Sequence, residues 1–300
     1  MNIVMLGHNA AGKTTYVSLM YARMYEGIEG FGLRASAVDD HRVFIAAAEG
    51  IRWGRYPQPS DHRAVFDLVL QHGGRDVYPF TWRDYRGGAL NEHVRDSPQA
   101  AELHEDLKAA DAILVFADAH RLATDARGDR EARRIISHVQ RALDAPRTGN
   151  AVVLVLLTKC DLVDFGRASV GERVTAPFGE LLNATDSDEK VVGGLIPVAC
   201  GPRPRNIELP VLLCLYYGLT NRVTALQSMI DNHMRDARDR AEHDTLLNRW
   251  ISRAVGEQSH ADRVNALWHA AKQEYDRLTP LLDPARQLKR YLDRAMGAVS

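Results

Sequence analysis

The chain has 300 residues, 45% of them hydrophobic and 26% charged, enough to bury one large core or two smaller ones. A formal net charge of −1 excludes a globally basic nucleic-acid binder and a polybasic membrane-surface protein. No run approaches the roughly 18 apolar residues that span a bilayer, and neither the opening MNIVMLG nor the ending GAVS carries a leader or lipidation signal, so no membrane anchor is expected.

In chain order, residues 2–6 read as a short buried strand and 13–26 as a helix. The region 27–61 is irregular apart from a helix at 40–52. Strand-like runs at 64–70 and 76–83 are joined by His72-Gly73-Gly74-Arg75, a hairpin signal. A helix near 98–109, a strand at 112–117 and a helix near 129–144 follow. AVVLVLL at 151–157 is a continuous apolar run, as expected of a central parallel strand covered on both faces. A helix near 171–183, a short strand at 195–199 and a helix from about 207 complete this part. The order predicts an α/β fold over residues 1–221, a mostly parallel six-stranded sheet with helices on both faces. Residues 222–300 show no strand signal and read as a C-terminal α-helical extension. There Asp244, Ser259 and Asp283-Pro284 each precede an apolar set spaced as one helix face.

Residues 7–14 read GHNAAGKT, the Gly-x-x-x-x-Gly-Lys-Thr pattern of a phosphate-binding loop, between a strand and a helix. Gly7 and Gly12 let the backbone wrap phosphates, and the N–H groups across Asn9, Ala10, Ala11 and Thr15 add to the positive helix end. Lys13 is placed to neutralise the β- and γ-phosphates, and the Thr14 hydroxyl to hold Mg²⁺. The bland alternative is a glycine-bounded turn with no ligand. Lysine is scarce in this chain: six lysines stand against thirty-two arginines, yet Lys13 and Lys159 fall where nucleotide binding needs them.

Three further stretches bear on which nucleotide is held. Strand 76–83 ends in Asp84-Tyr85-Arg86-Gly87, where Asp84 can hold Mg²⁺ through water and the Gly87 N–H can meet a γ-phosphate. Strand 151–157 runs into Thr158-Lys159-Cys160-Asp161. The Asp161 carboxylate can accept from both N1–H and the 2-amino group of guanine while the Lys159 stem covers the base; adenine lacks that donor pair. Strand 195–199 ends in Ala199-Cys200-Gly201, where a backbone N–H can meet the guanine O6.

With GHNAAGKT, DYRG, TKCD and VACG in this order at strand ends, residues 1–221 resemble the Ras-like small GTPases of the translation-factor-related class. The stretch from Gly50 to Ser60 (GIRWGRYPQPS) is also similar to the first switch of bacterial double-GTPase-type proteins, Ras-like domains found in conflict or defence gene neighbourhoods. That pattern has a Thr after the prolines where Ser60 stands here, so the resemblance implies Ser60 as a second Mg²⁺ hydroxyl. It also implies GTP and GDP as ligands, a protein effector and an activating protein, and no nucleic-acid partner. Many relatives carry a Gln or His directly after Asp-x-x-Gly to orient water; here Gly88 stands there, leaving Arg86, Glu92 and His93 as nearby candidates, each also an ordinary surface residue.

The histidines show no ligand spacing, and Cys160, Cys200 and Cys214 neither metal nor disulfide spacing, which fits a reduced, cytoplasmic chain. The reading is therefore a slow, Mg²⁺-dependent GTP-hydrolysing switch with Lys13, Arg86 and His93 as catalytic candidates. The alternative is a nucleotide-binding scaffold with little hydrolysis. TKCD argues against a third reading, a P-loop ATPase or kinase.

Overall fold

The structure is a computed structural model and describes residues 1–58, 63–85, 98–145, 147, 149–242 and 260–297. Met1–Gly218 and the residues from Tyr291 onward form one compact unit; Leu219–Arg290 form another.

The first unit is built on a seven-stranded sheet. Its strands are β1 (Asn2–Leu6), β2 (Phe31–Ala35), β3 (Ala64–His72), β4 (Arg75–Asp84), β5 (Ala112–Asp118), β6 (Ala151–Thr158) and β7 (Val191–Pro197). The spatial order is β2-β3-β4-β1-β5-β6-β7. β2 pairs antiparallel with β3 and β3 with β4, whereas β4-β1-β5-β6-β7 are all parallel. Every residue of β6 is buried, as its unbroken apolar run requires of a strand covered on both faces.

The helices are α1 (Lys13–Glu26), α2 (Val38–Arg52), α3 (Pro98–Lys108), α4 (Ala119–Thr124), α5 (Ala126–Leu143), α6 (Ala168–Thr175), α7 (Gly179–Asp186), α8 (Leu209–Glu242) and α9 (His260–Gly297). On one face of the sheet, Leu103 and Leu107 of α3 and Ile135, Ile136 and Val139 of α5 share a core with Val4, Ile113 and Val153. α1 packs against α2, and Tyr16 of α1 meets Phe116 of β5 edge-on at 5.2 Å between ring centres.

The sheet has seven strands rather than the expected six. The extra one is β2, inside the stretch read as irregular. Phe31, Leu33 and Ala35 alternate inward with Gly32 and Arg34, but five residues with a glycine among them carry too short a period to stand out from a loop; pairing with β3 decides them. The last strand begins earlier than expected, at Val191, because it follows β6 in register from Ala151. The helix expected at 171–183 is broken into α6, a 3₁₀ turn at Ala176–Phe178 and α7, with Pro177 at the break. A further short helix, α4, precedes α5.

In the second unit, Leu226, Ile230 and Ala237 of α8 are buried, as are Ala271, Leu278, Leu281 and Leu288 of α9. The start expected at Asp283-Pro284 is absent: α9 runs through Pro280 and Pro284. The inward spacing from Leu281 to Leu288 continues one apolar face across Pro284, and that burial outweighs the missing N–H. The helical set after Asp244 lies outside the described residues.

Candidate functional site

β1 runs into the loop at Gly7 and the loop runs into α1 at Lys13. A Cβ on Gly7 would stand 2.9 Å from the Phe116 Cβ and 3.0 Å from its carbonyl oxygen, so the tight approach to β5 requires glycine there. Gly12 caps α1 at φ 87°, a left-handed conformation, and Ala10 is also left-handed at φ 61°. Alternating left- and right-handed residues turn successive N–H groups toward one concavity, which suits an anion. The Lys13 ammonium folds back over the loop and donates to the Gly7 carbonyl at 2.9 Å.

Asp84, the last residue of β4, lies beside the loop because β4 pairs parallel with β1 through Met5. The residue is 4% exposed, and among the described residues Oδ1 has no hydrogen-bond partner. Burial pushes its pKa up to about 6, against the opposing pull of Lys13, and burial likewise lowers the Lys13 pKa against the pull of Asp84. A buried carboxylate oxygen with an unused acceptor, beside a threonine hydroxyl in the same cleft, suits a hard divalent cation that keeps part of its water shell. Among the described residues, no cluster of three or more His, Cys, Asp or Glu forms a separate metal cage.

One cleft of about 430 Å³ is lined by Asn9 to Thr15, Asp84, Thr158, Lys159, Asp161 and Cys200, with further residues discussed below. The fold thereby brings together four sequence motifs that lie between Asn9 and Cys200 in the chain. Thr158 serves the loop directly, its hydroxyl donating to the Ala11 carbonyl at 2.9 Å. Lys159 takes a left-handed conformation (φ 57°), and its ammonium pairs with Asp118 at 2.5 Å, which fixes the stem. A Cβ on Gly201 would stand 3.3 Å from Asp161 Oδ2 and 3.8 Å from the Tyr56 hydroxyl, so those groups converge where glycine leaves room.

Two expected residues are placed differently. Gly7 is absent from the described lining and acts through its carbonyl on Lys13. Ala199 is also absent from the lining. Its N–H donates to the Arg205 carbonyl at 3.1 Å and its own carbonyl accepts from the Arg205 N–H, leaving Cys200 and Gly201 as the lining part of that motif. Ser60, Arg86, Gly87, Gly88, Glu92 and His93 lie outside the described residues. Burial raises the Cys160 thiol to about 11 and Cys200 to about 12, so both stay protonated at neutral pH.

Sequence reasoning missed several residues of the cleft. Tyr56, Pro57 and Gln58 line it from within the Gly50–Ser60 stretch, of which only Ser60 was given a role from sequence. Asp118 carried a weak signal, a carboxylate at the tip of a buried strand. Gly201 was read only as part of a motif, not as the space beside Asp161.

A helix opening from a glycine-bounded loop, at the carboxyl edge of a parallel sheet and backed by a buried lysine, defines a P-loop NTPase. A family profile matches residues 4–163, over half of the chain. The protein belongs to the Double-GTPase 1 family, and so is a P-loop GTPase of the double-GTPase type.

No curated protein gives a significant match. Solved structures similar to the chain include three GTPase-related proteins. A bacterial selenocysteine-specific elongation factor, EF-Sec, is 13% identical over 65% of this chain and 25% of its own, with TM-score 0.32. The signal recognition particle receptor SRb-GTP/SRX complex of Chaetomium thermophilum is 15% identical over 66% and 90%, with TM-score 0.38. The Arl6 BBS3 small GTPase of Trypanosoma brucei, bound to GppNp, is 14% identical over 72% and 95%, with TM-score 0.37. The chain thus spans about a quarter of the elongation factor's length, and the family assignment rests on none of these likenesses.

Proposed function

We propose that this protein is a Mg²⁺-dependent switch that binds GTP and hydrolyses it to GDP and phosphate. The observation that supports it best is the single cleft lined by both the phosphate loop and Asp161. In this reading the loop N–H groups and Lys13 hold the phosphates, and Thr14 with Asp84 holds Mg²⁺. When bound, the metal would supply charge neutralisation at the phosphates. Asp161 accepts from N1–H and the 2-amino group of guanine, the Cys200 N–H faces O6, and Lys159 covers the base with its ammonium held by Asp118. Ser60 and Gly87 join this scheme from sequence.

Hydrolysis then proceeds by in-line attack of water, helped chiefly by positioning and charge. Arg86 and His93 are candidates for that step from sequence, and Gln58, which lines the cleft, is a third. The two nucleotide states are read by a protein effector, and an activating protein accelerates turnover. Among the described residues no helix is long and apolar enough to cross a membrane, which is compatible with a cytoplasmic protein. A scaffold that binds without hydrolysing is the second reading, favoured by Gly88, which has no side chain to orient water.

Titration with fluorescent mant-GTP and mant-ATP, with and without Mg²⁺, tests the ligand; phosphate release tests the reaction. GTP-selective, Mg²⁺-strengthened binding with measurable release supports the switch. Equal binding of ATP refutes the guanine reading, and tight GTP binding with no release supports the scaffold.

A further inference from the structure

Both chain neighbours of Asp84 reach the same carboxylate on α3. Arg83 Nη1 lies 3.3 Å from Asp106 Oδ2, and the Tyr85 hydroxyl donates to that same oxygen. Arg63 stands beside Tyr85 across the hairpin, whose register sets Ala64 opposite Asp84. Its Nη2 donates to Asp106 Oδ2 at 2.7 Å, and its guanidinium lies 5.3 Å over the Tyr85 ring. Three donors therefore converge on one acceptor oxygen. Glu102, one turn earlier on α3, takes the other arm of Arg63 at 3.3 Å. Tyr85 is almost fully buried, with its hydroxyl turned to Asp106.

Asp84 itself has a buried oxygen with no hydrogen-bond partner among the described residues. Its aim is therefore set by the main chain on either side of it rather than by a bond to Oδ1. That main chain is pinned by Arg83 before and Tyr85 after.

We propose that Asp106 is a positioning residue for Asp84. By holding both neighbours it fixes the direction in which the carboxylate faces the cleft, and so sets the affinity for Mg²⁺ without touching the metal. The inference rests on the reading of Asp84 as a metal-facing group and adds the residue that tunes it. Groups one layer behind a metal-facing carboxylate shift metal affinity by about 10–100-fold when removed, because a carboxylate held in place loses less freedom on binding. A mere staple between α3 and the hairpin would change stability alone.

The test is mant-GTP release from the full chain across a Mg²⁺ series, for wild type, Asp106→Ala, Asp106→Asn and Tyr85→Phe, with thermal midpoints measured alongside. Asp106→Ala is expected to raise the Mg²⁺ concentration for half-maximal slowing of release by about tenfold. Asp106→Asn keeps an acceptor oxygen and shifts it less, Tyr85→Phe falls between, and release in EDTA matches wild type in the two Asp106 variants. Lower thermal midpoints with an unmoved Mg²⁺ midpoint overturn the proposal. If Asp106→Ala does not fold, the two milder variants decide by the same readout. A wild type indifferent to Mg²⁺ overturns the metal reading of Asp84 and this inference with it. A wild-type dependence that Asp84→Asn abolishes but the Asp106 and Tyr85 variants leave unmoved overturns this inference alone.

Discussion

The Thr158 hydroxyl donates to the Ala11 carbonyl at 2.9 Å, joining the end of β6 to a loop 147 residues earlier. It also lies 3.2 Å from the Ala117 carbonyl. The residue that opens the TKCD motif is thus a strut of the phosphate loop, and the phosphate and base motifs are mechanically one piece. Thr158→Val keeps the volume and removes the donor, leaving the Ala11 carbonyl without that bond. The expected loss is about 1–3 kcal/mol of stability, with faster release of GDP and GTP alike. Unchanged melting and unchanged release would show that the loop holds its shape without Thr158.

Asp84 makes stability depend on pH in a definite direction. Its folded pKa, about 6, lies above the ordinary carboxylate value of 3.8. Below about 4 the carboxyl is protonated in both states and its contribution is fully present. As pH rises from 4 to 6 the unfolded chain releases the proton while the folded chain retains it, so stability falls across that window and stays lower above it. The scale is up to about 3 kcal/mol, at roughly 1.4 kcal/mol for each tenfold change in proton affinity. Nucleotide-free protein carrying Asp84→Asn should lack this slope. Mg²⁺ needs the ionised carboxylate, so metal-dependent binding should strengthen through pH 6 in the wild type. Parallel melting curves for the two proteins from pH 4 to 7 would contradict the assignment.

Guanine selectivity should rest on Asp161 and on the space at Gly201. Asp161→Asn removes the acceptor for both guanine donors and should weaken GTP binding by about 2–3 kcal/mol, the scale of charge-assisted bonds. It should also shift preference toward xanthine nucleotides, whose edge suits an amide. Gly201→Ala puts a methyl 3.3 Å from Asp161 Oδ2, closer than most such contacts, and should weaken guanine binding without changing affinity for inorganic triphosphate. If Gly201→Ala binds GTP as wild type does, Asp161 is not confined as the geometry indicates.

Intrinsic hydrolysis should be slow. Ras-like domains that keep a water-orienting glutamine turn over at about 10⁻⁴ to 10⁻³ s⁻¹ until a partner supplies an arginine. With Gly88 in that position, this chain alone should be no faster. Single-turnover rates for Gln58→Ala, Arg86→Ala, Glu92→Ala and His93→Ala beside wild type will show which side chain contributes. A wild-type rate near 1 s⁻¹, unimpaired in all four, would mean that the residue handling the water is elsewhere.

The end of α9 belongs to the first compact unit, where Leu292 is 3% exposed and Arg294 bonds Glu29. A chain ending at Arg290 should lose about 2 kcal/mol of stability, the scale of burying one leucine. The exposed Arg294–Glu29 pair should add little to that. Equal melting of the shortened and full chains would show that Leu292 contributes nothing to the nucleotide-binding unit.

Sequence alone determined the parts of this protein whose physics is local. The buried run at 3–6, the glycines, Lys13 and Thr14 lie within one strand–loop–helix unit, so pattern and context could be read together. The continuous apolar run of β6 and the TKCD that ends it were equally legible, because burial on both faces leaves no polar alternation to confuse the period. Tertiary structure decided what depends on partners distant in the chain. β2 is a strand because β3 lies beside it. Ala199 is withdrawn from the cleft because Arg205 occupies its N–H. Tyr56 and Gln58 reach the cleft, and Lys159 finds Asp118, only once the sheet has ordered its strand ends. Asp106 holds Arg83 and Tyr85 from a helix some twenty residues on, and no periodicity in its own helix marks it. A side chain's partner across a fold is set by packing and register, which a local pattern does not encode.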